Sequence, residues 1–395
     1  MNKKLMAVAV AGVLTAPAAF AQSSNVQLYG RANLGIDSYK AEGSSVAGAD
    51  RDQRIRIFDN SSRVGLRGTE ELGGGLKAIF QIETGVNIDA GGNLGQNGTV
   101  NASSGFWATR DSYAGLEGGW GRVTFGRQSI FWANGLNGQF AANYVNTEIP
   151  WQNGTGLGRM GSTVARVPNT LAYTSPTFAG FNGTFSYSPN AQEAIQNVGA
   201  SIDTDGHIWG LTLRGTWGQF YGQYDYVKAE SATNLATNLQ RKVTGHKLGA
   251  SWGYMPGARV GATYVMIRDD LNPTVSTAVN QKAKQNGWTL FWEHTFGQFQ
   301  LLAEYGQTDD MDDCGVAPIV SCANSASKGY MVGGRYFLSK RTWLYLTYNQ
   351  ISNESNQFSD YFGASITSTQ SFGTAGPVPY GADPKILALG FFHTF

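Results

Sequence analysis

Apolar and polar residues alternate along most of this 395-residue chain. In the first clear segment, residues 26–37, the two sets have opposite parity: Val26, Leu28, Ala32, Leu34 and Ile36 against Gln27, Arg31, Asn33 and Asp37. Successive side chains of a β-strand point to opposite faces, so this period of two predicts strands with one apolar face. Sixteen segments show the pattern, with almost no helical periodicity between them. The alternation therefore predicts an all-β fold.

The last segment, residues 384–395, has the sequence PKILALGFFHTF and keeps the same alternation. Its large apolar residues share one parity and small or polar residues occupy the other: Leu387, Leu389, Phe391 and Phe395 against Ala388, Gly390 and Thr394. Because chain ends usually fray, an aromatic strand in this place is expected to be held by a neighbour and to face lipid. We predict that it closes the sheet by pairing with residues 26–37.

The connections between predicted strands alternate in length. Connections after odd-numbered strands are long and polar, whereas short turns follow even-numbered strands, at 73–75, 118–121, Thr177, Gly218, 256–257, Gly297 and 339–340. Transmembrane β-barrels show this arrangement, with short periplasmic turns and long extracellular loops, and soluble β-sandwiches do not. A sheet in the hydrocarbon layer must close on itself, because no solvent there can bond a free edge. We therefore predict a sixteen-stranded antiparallel transmembrane β-barrel.

Aromatic residues cluster beside the short turns: Trp120, Phe181, Trp217, Phe220, Tyr254, Phe296, Phe299 and Phe337. Aromatic side chains are enriched where a barrel meets the membrane–water interface. These eight residues predict one interfacial girdle on the periplasmic side.

Composition and the N-terminal residues agree with an exported membrane barrel. Glycine is abundant, at 52 residues, and only 14% of residues are charged. Two lysines, an apolar run and Ala19-Phe20-Ala21 predict a signal peptide over residues 1–21, leaving a barrel domain over residues 22–395. Removal of the signal peptide takes away Lys3 and Lys4 of the 29 Lys and Arg residues. The remaining 27 basic residues are balanced by 28 Asp and Glu residues. This near-neutral balance argues against nucleic acid as a partner.

The chain has two cysteines, Cys314 and Cys322, in one polar segment. In an exported protein this pair is expected to form a disulfide that closes a surface loop, and two free thiols are the alternative. No histidine or further cysteine lies near them in the sequence, which argues against zinc. No metal site and no cofactor are expected.

Four segments carry a family resemblance: VQLYGRANLGID, SSRVGLRGTEELGGGLKAIFQIETG, SYAGLEGGWGRVTFGRQ and GFFHTF. They resemble the trimeric general porins of the Gram-negative outer membrane, especially the β-proteobacterial type. The resemblance implies a homotrimer of barrels, each with a water-filled channel, surrounded by outer-membrane lipid and lipopolysaccharide. It also implies that Phe395, with Phe391, forms a signal for the barrel-assembly machinery.

The third long connection, residues 129–167, exceeds ordinary loop lengths, which suggests a function. Its few charges are Glu148, Arg159 and Arg166. A surface lid is one interpretation. The position in the strand order and the resemblance favour a constriction loop that folds into the lumen.

Strand parity assigns a set of charged residues to the inner face, where a water-filled lumen accepts them. They are Arg31, Arg63, Arg67, Lys77, Glu83, Arg166, Arg214, Asp225, Lys247, Glu293, Glu304 and Arg335. By resemblance, Arg31, Arg63 and Arg166 match a basic wall opposite the constriction loop. Arg110 is a fourth candidate, although its parity is ambiguous between the inner and outer faces. An alternative role for Arg67 and Arg335 is to bond neighbouring carbonyls and carboxylates.

The predicted function is passive diffusion of small hydrophilic solutes and ions. The resembling family has several acidic groups on the loop facing the arginines, whereas Glu148 stands alone here, so some anion preference is expected. The alternatives are a porin selective for one small organic anion, or an adhesin or structural barrel. No catalysis is expected, because the G-x-S-x-G match at 249–253 lies inside a predicted strand instead of a strand-to-helix turn.

Overall fold

The computed structural model describes residues 24–89, 107–131, 166–189, 206–230, 242–271, 281–313, 322–360 and 378–395. Within these ranges the chain forms β-strands and turns, without a helix. The strands are Ser24–Glu42 (β1), Arg51–Asp59 (β2), Arg63–Gly73 (β3), Leu76–Gly85 (β4), Ser112–Gly118 (β5), Gly121–Ser129 (β6), Arg166–Thr174 (β7), Phe181–Ser188 (β8), His207–Trp217 (β9), Phe220–Glu230 (β10), Lys242–Met255 (β11), Ala258–Leu271 (β12), Gln281–Phe296 (β13), Phe299–Thr308 (β14), Ser327–Ser339 (β15), Thr342–Asn353 (β16) and Asp383–Thr394 (β17).

The strands close into one antiparallel barrel. From β3 to β17 each strand pairs with the next along the chain, and β17 pairs with β1. Strands β2 and β3 share one barrel position, because β2 pairs with Leu34–Ala41 of β1 and β3 pairs with Ser24–Arg31. Seventeen strands therefore occupy sixteen positions, and the predicted sixteen-stranded fold is confirmed.

Strand β2 was missed by the sequence analysis, which treated the residues after Asp37 as a loop. Its alternation is short and uses arginines as the polar residues, with Arg54, Ile55, Arg56 and Ile57 in succession. The break between β2 and β3 at 60–62 then separates it from the clearer strand. In the same region β1 is longer than predicted, so β17 pairs with Arg31–Glu42 instead of 26–37.

The two faces of each strand differ as the alternation predicts. On β17, Leu387 and Leu389 are exposed on the outer face, whereas Ala388 and Phe392 are buried on the inner face. The barrel seam continues past the last strand, where the backbone groups of Phe395 and Gly30 exchange two hydrogen bonds. The Phe395 ring lies over Gly30 and leaves no room there for a Cβ atom. An aromatic ring on a cross-strand glycine is a known way of pinning sheet register.

The short turns lie where the sequence predicts them, all at one end of the barrel. The turn between β3 and β4 shows why glycine is needed, since Gly73, Gly74 and Gly75 have φ values of 92°, 61° and 80°. Stacked aromatic pairs lie on the outer face beside these turns. The ring centroids are 5.5 Å apart in Phe181–Trp217 and 6.2 Å apart in Phe220–Trp252.

For one residue of the girdle, Phe337, the prediction is wrong. Phe337 lies on the inner face, where its ring is 5.9 Å from that of the buried Trp343. The alternation along β15 explains this, because the exposed residues Val332 and Leu338 have even numbers. Tyr336 takes the outward place and packs 4.8 Å from Phe299.

None of the described residues forms a helix that is long and apolar enough to cross a membrane.

Several predictions from sequence fall on residues outside the described ranges. These are the signal peptide, Glu148, Arg159 and Cys314, all of which stay predictions. Cys322 is disulfide-bonded, and no cysteine within the described part of the chain is free.

Candidate channel constriction

Four arginines, Arg31, Arg63, Arg110 and Arg166, lie on one side of the inner wall and are called the basic wall here. Arg31 and Arg63 are direct cross-strand partners on β1 and β3. The break before β3 turns the carbonyl of Ser61 towards Arg31, whose Nε donates to it at 2.9 Å. The irregular backbone at this point therefore holds the first arginine in place.

Glu83 on β4 is the carboxylate at the centre of the basic wall. Its Oε1 lies 2.5 Å from Arg110 Nε and 3.7 Å from Arg63 Nη1. Its Oε2 accepts a hydrogen bond from the Tyr29 hydroxyl at 3.1 Å. Glu83 is buried, and a buried carboxylate is stable only with such partners. It therefore fixes the orientation of two guanidinium groups.

The structure resolves the ambiguity over Arg110 in favour of the inner wall. Strand β5 begins only at Ser112, so the parity of Ala114 and Leu116 does not extend back to Arg110. Instead, the Arg110 N–H donates to the Glu83 carbonyl at 3.0 Å, and its side chain follows to the same residue.

Asp111 holds the fourth arginine. Its Oδ2 accepts from Arg166 Nε at 3.1 Å, and its Oδ1 accepts from the Ser129 N–H at 2.6 Å. Burial would raise the pKa of Asp111, which lies outside the strands, but Arg166 and the Ser129 N–H hold that pKa below its usual value. The carboxylate therefore stays charged at neutral pH. It joins β7 to the end of β6, where the third long connection begins.

The basic wall and its two acidic partners carry a net positive charge. Four guanidinium groups and two carboxylates leave a formal charge of +2. These groups come from β1, β3, β4 and β7 and from the segment before β5. The arrangement gives one side of the lumen a positive potential that low-dielectric walls would focus.

The other predicted inner-face charges are distributed around the lumen. Arg67 bonds Gln27 and Lys77 bonds Glu71, while Arg335 bonds Gln300 and lies over the rings of Phe337 and Trp343. Arg214 lies opposite Gln223 in register, Glu293 pairs with Arg259 at 2.5 Å, and Glu304 is buried on β14. Lys247 on β11 pairs with Asp225 on β10. None of these residues contacts the basic wall in the interactions described.

Three charged partners on the inner side escaped the sequence analysis. Asp111 was missed because it precedes its strand, although its place beside Arg110 was a usable signal. Arg56 was missed together with β2, and it forms a two-point ion pair with Asp37 at 2.9 and 2.8 Å. Arg259 on β12, which pairs with Glu293, was also missed.

A metal centre finds no support within the described ranges. No group of three or more His, Cys, Asp or Glu side chains is placed there to hold an ion.

Comparison with known proteins identifies the class of this barrel. The family model described as Gram-negative porin matches residues 7–356, so the chain belongs to the Gram-negative porin family. These are outer-membrane proteins and channels, and the predicted family and location are confirmed.

Two curated relatives and one solved structure illustrate the similarity. An outer membrane porin protein of Bordetella pertussis is 33% identical over 275 residues, which cover 64% of this chain and 66%, just under two thirds, of that protein. The major outer membrane protein P.IB of Neisseria sicca is 28% identical over 365 residues, which cover 87% of this chain and 91% of that protein. The structure of the anion-selective porin from Comamonas acidovorans matches with a TM-score of 0.72 at 23% identity, over 94% of this chain and 100% of that one. This similarity shows a shared fold.

Proposed function

We propose that this chain forms a water-filled channel for passive diffusion of small hydrophilic solutes and ions, with a modest preference for anions. The observation that carries the proposal is the basic wall, whose four arginines lie with Glu83 and Asp111 on one side of a closed barrel. A barrel of this strand number encloses water. Charged rings in such a lumen bias ion flux by attraction without forming a tight binding site.

The size of the preference follows from Coulomb's law. Two unit charges about 10 Å apart in water interact by about 0.4 kcal/mol, and salt reduces this further. One arginine therefore changes the anion-to-cation permeability ratio by a few-fold at most. The fold match to a solved porin that is itself described as anion-selective is in keeping with this sign.

The third long connection, residues 129–167, is proposed to narrow the channel. Near its start, Ile130 and Phe131 lie against Gly210 and Gly245 on the inner wall and are buried there. That position supports a loop inside the lumen over a lid on the surface.

Reconstitution in a planar bilayer tests the channel. Insertion of the purified mature protein should give stepwise increases in current, and a tenfold salt gradient should give a reversal potential of the sign expected for anions. Absence of any conductance would refute the channel, and a cation-selective potential would refute the preference. Block by one organic acid at low concentration would favour a substrate-selective porin instead.

The functional unit is proposed to be a homotrimer joined through strands β1–β3. Within these described strands the outward residues include Val26, Leu28, Ile55 and Ile57, and none of the outward residues is aromatic. The walls carrying stacked aromatic pairs face the membrane interface, where such rings are favoured. Ile55 and Ile57 are 73% and 70% exposed in the single chain, which makes this aliphatic face the best candidate for burial between subunits.

Assembly is proposed to use the terminal strand. Phe391 and Phe395 lie on the outer face and are exposed at the periplasmic end of the seam. Both rings are therefore available for contact with the barrel-assembly machinery before the barrel meets lipid. Lipopolysaccharide is proposed to surround the extracellular half of the outer face.

A further inference from the structure

Two residues beyond the end of β6 lie against the wall formed by β9 and β11. The side chain of Ile130 occupies the space above Gly210, where a Cβ atom would lie 2.7 Å from Ile130 Cγ2. The ring of Phe131 occupies the space above Gly245, where a Cβ atom would again lie 2.7 Å away. The absence of a side chain at both glycines thus leaves space for two residues of the third long connection.

A buried lysine bonds the backbone at the same place. Lys247 Nζ donates a short hydrogen bond to the carbonyl of Phe131, and it lies 5.0 Å from the centroid of that ring. Nζ is also 3.6 Å from Asp225 Oδ2, and the two side chains are 6% and 0% exposed. The ammonium group therefore joins the strand wall to the beginning of the connection.

Asp225 is itself held firmly. Its Oδ1 accepts from the Thr212 hydroxyl and its Oδ2 accepts from Gln223 Nε2, each at 2.6 Å. The Gln223 amide oxygen accepts in turn from the Tyr221 hydroxyl at 2.6 Å. Groups on β9 and β10 thus fix the carboxylate, and the carboxylate fixes the ammonium group.

This arrangement is more than is needed to stabilise a barrel. Apolar residues in place of a buried ion pair are often neutral or stabilising, and a glycine inside a strand weakens it. Packing alone would therefore favour larger residues than Gly210 and Gly245 and an apolar pair in place of Asp225 and Lys247. What the observed residues add is a directed bond to one carbonyl and room for two side chains.

We propose that Lys247 is a positioning residue of the channel, which holds the start of the third long connection at one place on the inner wall. The cross-section left open to solutes then depends on this bond. Asp225 fixes the lysine, and Gly210 and Gly245 leave space for the side chains of Ile130 and Phe131. The proposal rests on the proposed function, in which that connection narrows the lumen.

The test measures single-channel conductance and current noise of the reconstituted porin. The double variant D225N/K247M removes the bond to Phe131 without leaving an unpaired buried charge. We expect thermal stability near that of the unchanged protein, with open-channel conductance or current noise raised by about 1.5-fold or more. The variant G245V, which displaces the Phe131 ring, should change the current in the same direction.

The matched control is D37N/R56M. This ion pair is equally buried, with side chains 0% and 7% exposed, and it lies on β1 and β2 away from Ile130 and Phe131. Its loss should leave conductance and noise unchanged. Unchanged currents in D225N/K247M would overturn the proposal, as would an equal effect in the control. Failure of the unchanged protein to conduct would refute the proposed function instead.

Discussion

At the scale of single residues, two carboxylates organise three of the four arginines of the basic wall. Glu83 bonds Arg110 closely and lies near Arg63, while Asp111 bonds Arg166. An arginine side chain has many rotamers, and a nearby carboxylate selects among them. These acids therefore reduce the positive charge and also decide where the remaining charge points. The two effects can be separated by removing acids and bases in turn.

Replacing Arg63 or Arg166 by Gln should reduce the anion preference. Each change removes one positive charge from the basic wall, so we expect the anion-to-cation permeability ratio to fall by about 1.5- to 4-fold in low salt. The reversal potential in a salt gradient measures this ratio. Arg341, exposed in the turn before β16, is the control, and R341Q should behave like the unchanged protein. If neither variant shifts the potential, these arginines are not part of the selectivity filter.

Replacing Glu83 by Gln should act in the opposite direction. The formal charge of the cluster rises from +2 to +3, so the anion-to-cation ratio should increase by about 1.5- to 4-fold in low salt. The matched control is Glu293, an inner-face acid that pairs with Arg259 at 2.5 Å away from the basic wall. A shift in E293Q as large as that in E83Q would contradict a local role for Glu83.

At the scale of elements, the seam between β1 and β17 depends on the residues at its end. The Phe395 ring covers Gly30, and both backbones are bonded there. The barrel cannot span the hydrocarbon layer until this seam is closed, because an open edge cannot remain there. The terminal contact is therefore expected to affect assembly more than an aromatic residue elsewhere on the rim.

The variant F395A should lower the amount of folded barrel in the outer membrane several-fold. The shift of the folded barrel on unheated electrophoresis measures this amount. Phe296, also outward at the same end, is 54% exposed against 48% for Phe395, so F296A is a close match. Equal losses in the two variants would show that an aromatic rim residue is needed in general, and that the seam has no special role.

The elements themselves were largely predictable from the chain. The sixteen predicted strands rely on period-two alternation and on turn glycines, both of which are local properties. Strand β2 was not predictable in the same way, since its pairing with Leu34–Ala41 depends on how far β1 extends. Phe337 was misplaced because proximity to a turn does not decide the face, which is set by strand parity.

At the scale of the whole molecule, the outer surface divides into two kinds of wall. Aromatic pairs occur from Trp120–Tyr173 to Phe299–Tyr336, whereas the described strands β1–β3 present aliphatic side chains. Lipid tails are as apolar as leucine, so burial from water cannot drive subunits together in the membrane. Van der Waals packing between the aliphatic walls of neighbouring subunits is therefore the interaction that can stabilise the proposed trimer.

The variant I55N/I57N should weaken association of the proposed trimer by at least about tenfold, equivalent to about 1.4 kcal/mol. Sedimentation or native electrophoresis of the detergent-extracted protein measures the oligomer. The control L213N/L290N changes two outward leucines, 46% and 50% exposed, on strands β9 and β13. A trimer that survives the first change, or is lost equally in the second, would exclude β1–β3 as the contact.

The sequence by itself determined the strands, their faces and the ends at which they turn, because alternation and turn chemistry act between near neighbours. It also placed Arg31, Arg63 and Arg166 on one inner face. Only the tertiary structure decided which charges meet. Arg110 reaches Glu83, Asp111 reaches Arg166 and Lys247 reaches Phe131 across separations of 27, 55 and 116 residues. The first two contacts depend on how consecutive strands pair, and the third on how the curved sheet brings β11 to the end of β6. Neither is contained in a local pattern.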